Sequence, residues 1–413
     1  MELLRNAVRP YAWGSRTVIP ELLGNPSPAD HPEAELWMGA HPGDPSTLVG
    51  ADGAERSLLD VVANDPDSQL GTACTRLWGG RLPFLLKILA ADEPLSMQAH
   101  PTAEQAREGY AREEGAGIPR DAGERNYPDP TAKPELVCAL TEFHVLAGFR
   151  DARRTVELLR AIEPPSLSSY IDLLAGQPDA DGLRALFTTW ITLPQQTLDE
   201  VLPDVLSACA THADAGGEFA TACRTIVELG EQHPRDAGVL AALLLNRIVL
   251  RAGEAIYLPP GNLHLYLRGT AVEILANSDN VLRCGLTPKH VDVPELLRVV
   301  DFADGDMPVL RGECAAGCER MRVYPTDAAE FELSRLYWQA GDAEEARLPY
   351  AGPRIVVCTQ GSVVLRGVDG SAREVELVRG SSVWLPASDP EVALWPADTG
   401  ADCHVFCATP GKA

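Results

Sequence analysis

The chain has 413 residues, 45% hydrophobic and 23% charged, with 59 Asp and Glu against 35 Lys and Arg for a formal net charge of −24. That length exceeds what one hydrophobic core serves and predicts two or three domains. The acidic balance disfavours nucleic acid and anionic membrane as partners, because phosphate groups need a basic surface, and no apolar run is long enough to cross a bilayer.

Residues 1 to about 150 alternate short apolar runs with Pro and Gly turns, as in Leu82 to Ala90 and Glu142 to Phe149, and predict β structure. Met1 to Ser15 lacks the apolar core of a signal peptide. Within Leu95-Ser96-Met97-Gln98-Ala99-His100-Pro101, strand alternation sends Ser96, Gln98 and His100 to one face. Lys133-Pro134-Glu135 repeats the i, i+2 spacing, and the proline keeps Lys133 extended.

From about 151 to 245 the period becomes helical: Leu183, Leu186, Phe187 and Trp190 fall on one face, as do Leu198, Val201, Leu202, Val205, Leu206 and Cys209. Breaks at Pro164-Pro165, Gly176, Pro194 and Gly216-Gly217 divide the segment into about five short helices. Strand signals resume from Arg247 to Arg283, so the helices read as an insertion, a lid or wall over the site. Gly253 to Tyr266 reads as strand, Pro-Gly turn and strand, with His264 and Tyr266 on one face.

Gly253 to Tyr266 can be laid over Gly380 to Ala393, where Glu391 and Ala393 replace His264 and Tyr266. The overlay suggests a second barrel without metal chemistry, although Gly-x5-Pro between apolar residues is also a common strand-turn pattern. The ten cysteines form no dense framework and fit reduced thiols, so the protein is expected in the cytoplasm. Cys314, Cys318, Cys403 and Cys407 have a spacing that zinc could use, but Cys403 to Cys407 reads more simply as a buried strand.

His100 and His264, the Glu135 carboxylate and the Gln98 amide oxygen together make a plausible nitrogen and oxygen ligand set. Either imidazole alone reads equally as a buried, hydrogen-bonded side chain. The spacing Gly253-x5-Pro259-x-Gly261-x2-His264 resembles the second metal motif of the cupin β-barrels. Two departures stand out: Arg268 occupies the place of an Asn, and Gln98-x-His100 replaces His-x-His. With Lys133-Pro134-Glu135, the run Asn277 to Lys289, and the segments Pro10 to Ser15, Glu35 to Gly39 and Leu82 to Lys87, the chain resembles the type I mannose-6-phosphate isomerases.

The resemblance implies a mainly β fold with an α-helical insertion: a catalytic cupin (jelly-roll) barrel from 1–150 and 246–310, helices over 151–245, and a metal-free cupin-like barrel over 311–413. It implies one zinc ion per chain held by Gln98, His100, Glu135 and His264. The reaction would interconvert mannose 6-phosphate and fructose 6-phosphate through a metal-stabilised enediolate. Lys133 is the first candidate for the base, with holding phosphate or pairing with a carboxylate as its other reading; Glu273 and Asp279 are rivals, and Asp279 with His100 could open the ring. Arg283 would meet phosphate or enediolate oxygens, although alone it reads as a surface arginine. Ser96, Lys87 and Lys289 form the expected phosphate set, Tyr266 lines the sugar pocket, and Trp13 packs near the mouth. His31, His41, His144, His212, His233, His290 and His404 receive no role, and the chain is expected to act as a monomer. The rival is a non-catalytic sugar- or metal-binding cupin, which needs neither Lys133 nor Arg283; an iron oxygenase is disfavoured by the Gln98 amide.

Overall fold

A computed structural model describes residues 1–315, 317–349, 351–368 and 374–412. Its described strands form sheets of ten, nine and four strands, and every ladder between them is antiparallel. The ten-stranded sheet turns on the long strand His264–Ala276. Its first half pairs with Met97–Ala99 and Phe143–Phe149, and its second half with Phe84–Ala91 and Glu135–Ala139. Gly269 sits at the corner with φ 118°, and a Cβ there would lie 2.5 Å from the Glu142 carbonyl oxygen, so only glycine allows the chain to bend there.

The register also slips between Tyr266 and Arg268. Tyr266 and Glu273, an odd number of residues apart, therefore face the same interior.

The helices fall where the sequence breaks predict: Ala152–Ile162 stops before Pro164, Ser168–Gly176 ends on its glycine, Gln195–Ala215 starts after Pro194, and Gly216 precedes Ala220–Gln232. Ala180–Ile191 buries Leu183, Leu186, Phe187 and Trp190. A 3-10 turn, Pro165–Leu167, and a five-residue helix, Gly238–Ala242, lie outside the expected set. One apolar cluster joins the helices to Met97, Leu146, Leu265 and Leu282, so the helical face packs on the strands that carry the site.

The nine-stranded sheet departs from the expected boundary at 311. Glu2–Arg5 pairs with Ser382–Leu385, with Glu2 opposite Trp384, and carries Thr47–Val49 and Glu55–Ser57 outward. The first strand thereby covers a backbone edge that Ser382–Leu385 would otherwise leave bare. Leu4, Leu36, Leu86 and Ile274 pack with Phe331, Ile355, Trp384 and Phe406 in one core. The two overlaid motifs share local form, with Gly253 at φ 85° before Ala255–Leu258 and Gly380 at φ 84° before Ser382–Leu385. All ten cysteines are free thiols, with Cys403 and Cys407 buried in a strand. No helix among the described residues is long and apolar enough to cross a membrane.

Candidate active site and metal centre

Period-two alternation builds one wall. Trp37 lies opposite Lys87, and Lys87 lies opposite Glu273, in adjacent strands. Glu35 is two residues before Trp37, and Glu135 two before Val137, the next partner of Glu273, so all these side chains share a face.

Lys87 Nζ is 3.1 Å from Glu273 and 3.5 Å from Glu35. Burial opposes its charge, but the carboxylates of Glu273, Glu35 and Glu135 outweigh that and raise its pKa. Burial likewise pushes the Glu273 carboxyl up, against the pull of Lys87. The Tyr266 hydroxyl donates to Glu273 at 2.9 Å, and burial followed by the nearby carboxylates raises its own pKa.

Beside this wall His100, Glu135 and His264, all buried, bring one ligand atom each within 4.8 Å of one another. His100 Nδ1 lies 2.8 Å from the Asn280 carbonyl and His264 Nδ1 3.1 Å from that of Asn262. A carbonyl only accepts, so each Nδ1 carries the proton and each Nε2 presents a lone pair. Those lone pairs point at Glu135, 3.3 Å and 3.4 Å from its oxygens, yet both Nε2 atoms and Glu135 Oε2 lack a hydrogen-bond partner. Three buried acceptors facing one another is the arrangement that a cation satisfies. Burial, then the Lys133 charge, lowers the His100 pKa to about 4, which keeps the imidazole neutral as a ligand must be. Burial opposes ionisation of Glu135, but its carboxyl lies well below the usual range, with Lys133 the charged neighbour that favours the anion.

The strand at Gln98 is shorter than predicted, Met97–Ala99 alone. Ser96 and His100 fall outside it because Pro94 and Pro101 bracket the segment and cannot donate to a ladder. Ser96 and Gln98 line the open cavity, and His100 is buried beside it. Gln98 pairs with His264 on one side and Arg283 on the other. The Gly261 N–H donates to the His100 carbonyl at 2.7 Å, tying the Pro-Gly turn to the first motif. Lys133 also precedes its strand, Glu135–Ala139, but its Nζ reaches Glu135 Oε1 at 3.2 Å.

A cavity of about 770 Å³ collects eleven of the thirteen predicted residues: Trp13, Lys87, Ser96, Gln98, Lys133, Glu135, Tyr266, Glu273, Asp279, Arg283 and Lys289. His100 and His264 lie beneath them. Lys87, expected on phosphate, has its charge already committed to two carboxylates. Arg283 is half-buried, which lowers its pKa; burial and then Arg283 lower that of exposed Lys289. Neither makes an ion pair with any described residue. Asp279 is exposed and held low first by its hydrogen bond to His41, whose Nε2 is 3.3 Å away.

Sequence reasoning missed several participants. Glu35 binds Lys87 and accepts from Trp37 Nε1 at 2.6 Å, and its position two before Trp37 was the available signal. His41 reaches Asp279, and Gln232 and His233 bring the helical insertion to the cavity wall. Nothing local to these last residues marks them.

A family model described as phosphomannose isomerase type I, catalytic domain, matches residues 1–152. The mannose-6-phosphate isomerase of Escherichia coli K12 is 38% identical over 398 residues, covering 95% of this chain and 97% of that one. The human mannose-6-phosphate isomerase is 29% identical, covering 93% and 92%. Among solved structures, a variant of phosphomannose isomerase from Salmonella typhimurium superposes with TM-score 0.89 at 34% identity over the whole of both chains. A zinc-bound mannose 6-phosphate isomerase gives TM-score 0.88 at 34% identity, over all of this chain and 99% of its own.

Proposed function

Because this chain belongs to the type I phosphomannose isomerases and so interconverts mannose 6-phosphate and fructose 6-phosphate with one zinc ion, we propose which of its residues do so. The observation that carries the reading is the set of orphaned acceptors on His100, Glu135 and His264, set under a cavity that holds Lys133, Arg283 and Lys289. Those three ligands, with the Gln98 amide oxygen as the fourth, hold the zinc. The bound ion supplies Lewis acidity, lowering the energy of negative charge that develops on the sugar oxygens.

Lys133 moves the proton between C2 and C1. It lines the cavity next to a metal ligand, whereas both Glu273 oxygens are already engaged by Lys87 and Tyr266. Glu273 and Glu35 fix Lys87, and Asp279, paired with His41, stands where a carboxylate can assist ring opening. Arg283 and Lys289, adjacent and without an ion-pair partner among the described residues, take the phosphate with help from Ser96. On a chain of net charge −24 that local pair supplies what the general surface repels. Trp13 stacks on Tyr11 at 5.7 Å and forms the mouth.

We further read the sheets as two cupin barrels, the second without a ligand set. The support is the matching strand and turn after Gly253 and Gly380.

Metal analysis of the purified protein, run beside a coupled assay for fructose 6-phosphate, tests the reading. Stoichiometric zinc with turnover supports it; bound metal without turnover indicates a binding protein. Arg283→Lys keeps the charge and loses the fork. A charged hydrogen bond contributes about 1.5–3 kcal/mol, so kcat/KM should fall roughly 10- to 150-fold, and unchanged kinetics would remove Arg283 from the site.

A further inference from the structure

Asp236 lies in the turn of the helical insertion between Ala220–Gln232 and Gly238–Ala242, with no sequence signal of a role. Its carboxylate grips two backbones: Oδ1 accepts from Gly238 N at 2.7 Å, inside its own turn, and Oδ2 accepts from Leu286 N at 2.7 Å, on the segment that follows the Arg283 strand. Leu286 stands at φ 57°, the left-handed region that a leucine disfavours, and it is one of two non-glycine residues with positive φ among the described residues.

The two segments meet through glycines. A Cβ on Gly285 would lie 2.5 Å from Asp236 Oδ1 and 3.1 Å from Gly238 Cα, and one on Gly238 would lie 2.9 Å from the same oxygen. Backbone therefore docks on backbone with a single carboxylate between them. Immediately beyond Leu286, the chain runs through Thr287 and Pro288 to Lys289, and Arg283 lies just before it; these residues line the same cavity.

We propose that Asp236 is a positioning residue: by clamping Leu286 in its left-handed conformation it aims Arg283 and Lys289 at the phosphate of the substrate. The helical insertion thereby sets the geometry of the phosphate end from outside the cavity. The energetic logic is a strained dihedral offset by a charged hydrogen bond. Without the bond, Leu286 leaves the left-handed region and the three residues after it swing with it. The phosphate assignment comes from the reading above; the clamp itself does not depend on it.

The test uses the zinc-loaded enzyme. Asp236→Ala should raise KM for mannose 6-phosphate roughly 10- to 100-fold, as loss of a charged hydrogen bond implies, with kcat within about twofold. Zinc content should not change, and hydrogen exchange at the Leu286 amide should accelerate. Adding Leu286→Gly to that variant removes the left-handed penalty, so most of the KM increase should disappear. A residue that merely stabilises the fold would lower the active fraction and hence kcat, leave KM in place, and gain nothing from Leu286→Gly; that pattern, or unchanged exchange at Leu286, overturns the proposal. If Asp236→Ala does not fold, Asp236→Asn keeps one acceptor oxygen and should shift KM in the same direction by less, while an unshifted KM overturns the proposal. Lys289→Ala separates the two ideas: unchanged KM there sinks the phosphate assignment, while accelerated exchange at Leu286 in the Asp236 variant still upholds the clamp.

Discussion

A His264→Ala protein will lose most of its zinc and nearly all turnover. The substitution removes one of the three residues whose ligand atoms converge, and leaves the Glu135 carboxylate facing only His100 and Lys133 in a buried pocket. Loss of an outer partner of a metal ligand already costs about 10- to 100-fold in affinity, and loss of the ligand itself should cost more than that. The same change at His404, on a strand of the nine-stranded sheet, should leave zinc in place and so controls for general damage. Metal content after dialysis, measured beside the isomerase assay, checks both. Full zinc occupancy and activity in His264→Ala would mean that the metal is held elsewhere.

Lys133→Met should lower kcat by roughly 10²- to 10⁴-fold, the usual contribution of a positioned general base. Methionine keeps the length of the stem and cannot carry a proton. Zinc should remain, because His100, Glu135 and His264 are untouched, although Glu135 loses its partner at 3.2 Å. The decisive readout is exchange of the C2 proton of mannose 6-phosphate with solvent. Exchange at the normal rate in Lys133→Met would transfer the role to Glu273, whose carboxyl burial already pushes upward, or to Asp279.

Short-range patterns were enough to locate much of this site. Period two put Glu135 at the start of a strand and aligned His264 with Tyr266, and prolines with paired glycines marked where the insertion's helices break. These are consequences of backbone geometry acting over a few residues, and the sequence displays them directly. Assigning zinc and a sugar phosphate required more, since a lone imidazole in a strand reads equally as a buried hydrogen-bonded side chain. The motif resemblance supplied that step.

What lay beyond reach depends on residues far apart in the chain. The strand expected around Gln98 is only Met97–Ala99 because flanking prolines cut it short, and His100 Nδ1 meets a carbonyl 180 residues away. Lys87 looked like a free cation until Glu35 and Glu273 came against it across two strand pairings. The pairing of Glu2–Arg5 with Ser382–Leu385 joins the two ends of the chain, and nothing in either segment names its partner.

The sequence by itself thus determined the element types and the acidic balance of the chain, because each follows from side-chain chemistry or a period of a few residues, while the expected ligand set came from the motif resemblance. Only the tertiary structure decided which cations stay unpaired, which imidazole nitrogens face Glu135, and how Asp236 meets Leu286. Those outcomes turn on distances between segments that the chain brings together only when its core closes.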